Sequence, residues 1–307
     1  MARSIPDQPE VRPVTLDADG TPLSGLLAVP ERSVPRAVVV ALHGGGMSAG
    51  YFDSRARPGL SLLRLGAELG FTVLSLDRPG YGASADRLPE GLDLAGQTQT
   101  VRSALAGFAP GEARGAGFFL VAHSSGGRLA LSAAGEESGD VPLIGVDISG
   151  LGSRFAVERR ELPSRDGRGA WRKHWGALRF YPPDALVTSG GLVRPVPSRE
   201  AGEGLLWPRM YPAIAARVRV PVRFTFAEQE QWWRHDEEAV RELLAPLAAP
   251  RAEVVRQLDA GHNISLGWAA RTYHLRALAF LEECLLARDA AIPGPRTASA
   301  AQATPVR

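Results

Sequence analysis

The feature that most constrains this 307-residue chain is the run Phe118-Phe119-Leu120-Val121-Ala122-His123-Ser124-Ser125-Gly126-Gly127, an apolar strand that passes straight into a small-x-Ser-x-Gly turn and then a helix. A serine on so sharp a strand-to-helix turn is held in a strained backbone conformation. Only small residues then fit two positions before and two after it, and its oxygen stands free at the C-terminal edge of the sheet. Ala122 and Gly126 meet that demand around Ser124. Around Ser125 the corresponding residues are His123 and Gly127, and a histidine is too bulky for the first. Ser124 is therefore the expected nucleophile, and the N-terminal amides and dipole of the following helix suit an anionic intermediate.

The rest of the chain supplies a scaffold for such a turn. Val38 to Leu42, Phe71 to Leu76, Phe118 to Ala122, Leu143 to Ile148 and Val222 to Phe226 are short apolar runs bounded by Gly, Pro or Asp, as expected of strands buried on both faces of a parallel sheet. Helix-compatible stretches alternate with them: Leu60 to Leu69, Leu92 to Phe108, Arg128 to Glu137, Asp236 to Leu247 and Ala269 to Ala287. The class is α/β, with a mostly parallel central sheet flanked by helices. Arg12 to Asp17 and Leu23 to Val29 read as a leading antiparallel hairpin turning at Ala18, Asp19 and Gly20.

The alternation stops after Ile148 and resumes at Val220. A structureless loop of that length is improbable inside a compact domain, so the stretch is expected to be a cap inserted between the sixth and seventh strands. The division is then a core of 11–150 and 217–288, a cap of 151–216, and an aperiodic Ala-, Pro- and Thr-rich tail of 289–307 expected to be disordered. No internal repeat is present.

Two further motifs surround the serine. His43-Gly44-Gly45-Gly46-Met47-Ser48 follows the strand Val38 to Leu42, and amides free of side chains can approach a developing oxyanion closely. Ala260-Gly261-His262-Asn263 follows an apparent strand, Val254 to Leu258, and precedes the last long helix. Of the six histidines His262 is the expected base; His43 and His123 sit inside turns they would support, and His174, His235 and His274 lie in cap or helical surroundings. An imidazole base must be oriented by an acid lying between serine and histidine in the chain. Glu230, just past the strand Val222 to Phe226, is well placed to turn back toward it, with Glu228, Asp236 and Asp147 as alternatives.

Together these residues resemble the α/β-hydrolase fold superfamily over nearly the whole chain, from about Val11 to Ala287. The resemblance rests on His43-Gly44-Gly45 as oxyanion loop, Asp77-Arg78-Pro79-Gly80-Tyr81-Gly82-Ala83-Ser84 as the turn after the fourth strand, Ala122-His123-Ser124-Ser125-Gly126 as nucleophile elbow and Gly261-His262 as histidine loop. It implies an oxyanion hole made by the Gly45 and Ser125 amides. It also favours Glu230 as the acid, although the family's Gly-x-x-Asp is here Ala227-Glu228-Gln229-Glu230, and the first elbow glycine is Ala122. Members that open epoxides or displace halide carry aspartate at the elbow, so Ser124 argues against both. Gly80-Tyr81-Gly82 lacks phosphate-binding spacing, and neither a metal nor a cofactor is expected.

Composition removes other classes. With 35 basic and 33 acidic side chains the net charge is +2, and the arginines are interspersed with carboxylates, which speaks against nucleic acid as a partner. The run Ala37 to Leu42 has six residues where a membrane span needs about 20, and Met1 to Glu10 has no apolar stretch, so a cytoplasmic protein is expected. The lone Cys284 reads as core.

The expectation is a serine hydrolase acting through an acyl-enzyme on an ester, thioester or lactone of a mostly apolar small molecule, with Trp171, Trp175, Trp207 and Trp232 contacting substrate. Alternatives on the same fold are a nonhydrolytic enzyme (lyase, cyclase or acyltransferase, as in specialised metabolism) and a catalytically silent small-molecule binding protein.

Overall fold

In the run Val38–Leu42 every residue is buried, and the alternation of side chains along a strand divides it between two cores. Val38, Val40 and Leu42 face one hydrophobic cluster and Val39 and Ala41 the other. Phe118, Leu120 and Ala122 are divided from Phe119 and Val121 in the same way. These runs form the middle of an eight-stranded sheet in a computed structural model that describes residues 8–31, 33–108, 114–136, 139–158, 161 and 171–291.

The strands are β1 (Arg12–Ala18), β2 (Thr21–Ala28), β3 (Val38–Leu42), β4 (Thr72–Leu76), β5 (Phe118–His123), β6 (Leu143–Ser149), β7 (Val222–Gln229) and β8 (Ala252–Gly261), in the spatial order β1-β2-β4-β3-β5-β6-β7-β8. β1 and β2 form the expected hairpin, with Asp19 and Gly20 both at positive φ, as a two-residue turn between twisted strands requires. β2 pairs antiparallel with β4, and from β4 to β8 every pairing is parallel.

Helices α1 (Leu62–Glu68), α2 (Leu94–Ala106) and α3 (Ser125–Ala134) follow β3, β4 and β5. The segment between β6 and β7 carries α4 (Trp171–Trp175), α5 (Pro183–Ser189), α6 (Ser198–Gly204) and α7 (Trp207–Ala215); α8 (Glu237–Leu244) follows β7 and α9 (Ala270–Ala291) follows β8. α1 and α9 place Leu62, Leu65, Leu278 and Leu281 in the core on one face of the sheet. α2, α3, α7 and α8 place Val101, Leu129, Ile214 and Leu243 in the other.

Three details differ from the sequence reading. α3 begins at Ser125 and not near Arg128, because Gly126 and Gly127, poor helix formers, sit where the helix crosses the sheet most closely. A Cβ on Gly126 would stand 2.2 Å from the Leu42 carbonyl oxygen, and one on Gly127 2.5 Å from the Ile148 side chain. α9 runs on through Ala291, into the stretch read as tail; 292–307 lies outside the described residues. α7, placed by the sequence within the inserted stretch, puts Trp207, Tyr211, Ile214 and Ala215 into the main core.

The sheet also buries an ion pair. Asp147 on β6 is fully enclosed and accepts hydrogen bonds from Arg223 Nε on β7 (2.6 Å) and from the Tyr273 hydroxyl on α9 (3.0 Å). This carboxylate joins two strands to the covering helix. Removing one partner of a buried pair leaves a charge uncompensated, so Arg223→Leu should cost about 3–5 kcal/mol in urea unfolding. A loss below 1 kcal/mol would show that the pair contributes little.

Candidate active site

The parallel pairing of β3 with β5 sets Leu42 opposite Ala122, so the turns that follow the two strands leave the sheet side by side. From β3 the chain goes first to β4 on one side and then to β5 on the other. That reversal opens a crevice beyond the carboxyl ends of the strands.

Ser124 stands at the head of α3 with φ 50° and ψ −117°, one of three non-glycine residues at positive φ among those described. Such a conformation costs about 1–3 kcal/mol and persists only when the surroundings impose it. Here the Ser124 amide donates to the Ser149 carbonyl (2.8 Å), and the Gly127 amide donates to the Ser124 carbonyl (2.8 Å). Gly44 passes close above, leaving 3.2 Å between a Cβ in its place and Ser124 Cβ.

The Ser125 amide is the first of α3 and has no acceptor within its own helix. Gly45 lies against it, a Cβ there falling 3.1 Å from Ser125 Oγ. The glycine loop is gripped from behind: Arg78 Nε donates to the His43 carbonyl (2.8 Å), and the Arg78 amide donates to His43 Nε2 (3.1 Å). The Arg78 guanidinium also reaches Gln97 and, from α6, Glu200 (2.8 Å). Glu200 accepts from the Tyr81 hydroxyl as well (2.9 Å). Burial pushes the Tyr81 phenol above its ordinary range and holds His43 well below its own, so both are neutral.

His262 follows the end of β8, with Nδ1 2.8 Å from Glu230 Oε2 and both side chains almost wholly buried. Glu230 is fixed in turn, because its Oε1 accepts the Trp232 amide (2.9 Å) and its own amide donates to Ala227 (3.1 Å). With Nδ1 on the carboxylate, Nε2 is the nitrogen left for a reacting group. Gly150, at φ 62°, makes room for this ring: a Cβ there would lie 2.8 Å from His262 Cε1. Of the other carboxylates, Asp147 belongs to the buried pair, Glu228 accepts the Asp259 amide (2.8 Å), and Asp236 caps α8 and pairs with Arg234 (2.8 Å). His123 and His174 flank His262 at ring-centroid distances of 4.7 and 5.6 Å. Burial, with the neighbouring histidines, holds His123 well below the usual imidazole range and His174 at about 3, so they stand beside His262 as neutral walls.

Gly45, Ser124, Ser125 and His262 line a cavity of about 530 Å³, closed on its far side by the segment between β6 and β7. Among the described residues no cluster of three His, Cys, Asp or Glu could hold a metal, and no helix is long and apolar enough to cross a membrane.

Compared with known proteins, the chain matches the profile of the alpha/beta hydrolase family over residues 39–273. The chain belongs to this family. Among solved structures it is similar to a monoglyceride lipase from Saccharomyces cerevisiae, at 16% identity and TM-score 0.63, covering 90% of this chain and 95% of that one. It is also similar to a carboxyl esterase from Bacillus coagulans, at 15% identity and TM-score 0.62, covering 90% and 99%. A monoacylglycerol lipase from Paleococcus ferrophilus is similar at 17% identity and TM-score 0.60, again covering 90% and 99%. A search of curated protein sequences gave no match.

Within this alpha/beta hydrolase, Trp171, Trp175 and Trp232 line the cavity. Trp207 does not. It is 1% exposed beneath the cavity floor, its indole N–H donating to the Gly152 carbonyl (2.9 Å), and with Tyr211 it joins α7 to the core. Arg128, Phe155 and Glu200 line the cavity without having been singled out in the sequence; His174, read there as lying in cap or helical surroundings, and Trp233, which follows the acid loop with Trp232, line it too. For Arg128 a signal was present: it lies four residues after Ser124 on the helix that Ser124 heads, hence one turn away on the same side. The tryptophans differ accordingly. Trp207→Ala should lower stability by about 3–5 kcal/mol, as buried aromatic truncations do, and Trp171→Ala, at a 48% exposed side chain, should change it by no more than about 0.5 kcal/mol. Thermal melts of both variants check this; equal losses would put Trp171 in the folding core.

Proposed function

We propose that the protein is a serine hydrolase that cleaves an ester, thioester or lactone through an acyl-enzyme. The observation that carries this reading is the enclosed Glu230 carboxylate 2.8 Å from His262 Nδ1, with His262 and the strained Ser124 opening into one cavity. His262 Nε2 takes the Ser124 proton as Oγ bonds to the carbonyl carbon, and the oxyanion is received by the Gly45 and Ser125 amides. Collapse of the tetrahedral intermediate breaks the bond to the leaving group, which collects the proton from His262. Water, deprotonated by the same nitrogen, then releases the acid and restores Ser124. Glu230 keeps the ring in the tautomer with hydrogen on Nδ1 and stabilises the imidazolium that forms.

The chamber above this apparatus supports a bulky, mostly apolar substrate. Its size lies in the range of small-molecule sites, and Phe155, Trp171, Trp175, Trp232 and Trp233 contribute to its walls. We assign the stretch from α4 to α6 to a cap that shapes the chamber. The lipases and esterase of similar fold, which by their names act on acylglycerols and carboxyl esters, fit the same chemistry.

A fluorophosphonate probe should label the wild type and leave Ser124→Ala unlabelled; labelling that survives the substitution refutes the assignment of the nucleophile. Turnover of a 4-nitrophenyl ester in ¹⁸O-water should place the label in the acid product, whereas a rearranged product free of ¹⁸O would indicate a lyase or cyclase.

The acid is tested separately. Glu230→Gln should reduce kcat by roughly 10³- to 10⁴-fold, the penalty of a wrongly held tautomer. Asp236→Asn, which keeps the helix-capping oxygen and removes the charge paired with Arg234, should leave kcat nearly unchanged. Loss in the second variant alone would transfer the role to Asp236.

A further inference from the structure

Arg128 presents its guanidinium to the floor of the cavity, and among the described residues no carboxylate forms a direct ion pair with it. Among the described residues no carboxylate oxygen lies within 4.0 Å of it, and its Nε is buried without a hydrogen-bond acceptor. The two carboxylates in its neighbourhood are engaged elsewhere. Glu200 is held by the Arg78 guanidinium and the Tyr81 hydroxyl, and Glu203 accepts the Leu94 amide at 2.6 Å. What Arg128 does have is a built seat. Its guanidinium carbon lies 5.9 Å from the ring of Trp207 and 5.9 Å from that of Trp233. Gly204, which also lines the cavity, leaves it room, since a Cβ at that position would meet Nη1 at 2.4 Å.

A guanidinium whose Nε is shut away without an acceptor or a direct counter-ion is costly, and burial draws Arg128 down to about 10 against the pull of Glu200 and Glu203, still protonated at neutral pH. Two aromatic faces fix its plane without satisfying its N–H groups, a geometry suited to the planar, two-pronged carboxylate. Residues four apart on a helix have Cβ atoms about 6 Å apart. An anion on Arg128 and a carbonyl on Ser124 can therefore belong to one small molecule.

Resting on the reading of Ser124 as nucleophile, we infer that the substrate carries a free carboxylate, which Arg128 binds while the ester meets Ser124. The substrate class is the carboxylated ester, with an apolar or aromatic body in the tryptophan-lined chamber and one anionic end on the floor. A single guanidinium matches this monoanion better than a phosphate dianion.

Two matched pairs test the inference. The 4-nitrophenyl monoester of adipic acid against 4-nitrophenyl hexanoate places the carboxylate on the acyl side, and 4-acetoxybenzoate against 4-acetoxybenzamide places it on the leaving group. In one pair the wild type should prefer the carboxylate at least tenfold in kcat/KM. Arg128→Met should bring that ratio below threefold, and Arg128→Lys should restore part of it. Equal use of both members in both pairs by the wild type, or a preference that survives Arg128→Met, overturns the inference. Binding separates this from failure of the hydrolase reading. By calorimetry, Ser124→Ala should bind 4-methoxybenzoate or methyl hydrogen adipate, and Ser124→Ala/Arg128→Met should bind it at least tenfold more weakly, even if no ester is turned over. Equal binding, or no binding to either protein that still melts cooperatively, counts against it.

Discussion

The parallel register between β3 and β5 is the constraint on which the rest of the site depends. Leu42 opposite Ala122 brings the glycine loop and the serine turn out of the sheet together. A slip of one residue in that ladder would turn one strand over relative to the other, sending Val40 or Leu120 into the wrong core. The positions of the Gly45 and Ser125 amides are thus fixed by two hydrophobic cores at once, before any polar contact is counted. Gly126 completes the fit by letting α3 start almost in contact with the Leu42 carbonyl.

Polar contacts then hold the loops at the sheet edge. Arg78 is 1% exposed, yet it binds the His43 carbonyl, Gln97 and Glu200, so the turn after β4 braces the loop after β3. Glu230 and His262 directly follow the neighbouring strands β7 and β8, where the irregular register between Ala227 and Gln229 turns the chain back toward the histidine. Two buried carboxylates, one on β6 and one just past β7, have different surroundings. Asp147 is matched by arginine and tyrosine, whereas Glu230 is held by an imidazole and a backbone amide.

Much of the sheet was legible in the sequence, because a strand buried on both faces tends to be a continuous apolar run, as Val38–Leu42 and residues 118–122 are. Ser124 and His262 were legible because their turns require small neighbours whatever the fold surrounding them. Helix limits near the site were less so: the start of α3 is set by contact between Gly126 and β3, a tertiary fact that propensity misses. The segment between β6 and β7 was the least readable. Its short helices are interrupted by Gly and Pro, and nothing in its local pattern distinguishes the core residue Trp207 from the chamber residue Trp175. The partnership of Arg78 with Glu200, residues 122 positions apart, leaves no local trace either.

That partnership limits how the chamber can open. Glu200 belongs to α6, part of the covering segment, yet its carboxylate is tied to Arg78 and Tyr81 in the core. Swinging α6 outward would strand a buried guanidinium and a phenol at the same moment, an expensive movement because both are almost wholly enclosed. On the other side Trp171 is half exposed and Val193 and Arg194 reach solvent, with a backbone bond from the Arg194 amide to the Gly46 carbonyl as their tie to the core. The rim of the chamber at α4 and residues 193–196 is thus less firmly tied to the core than α6 is.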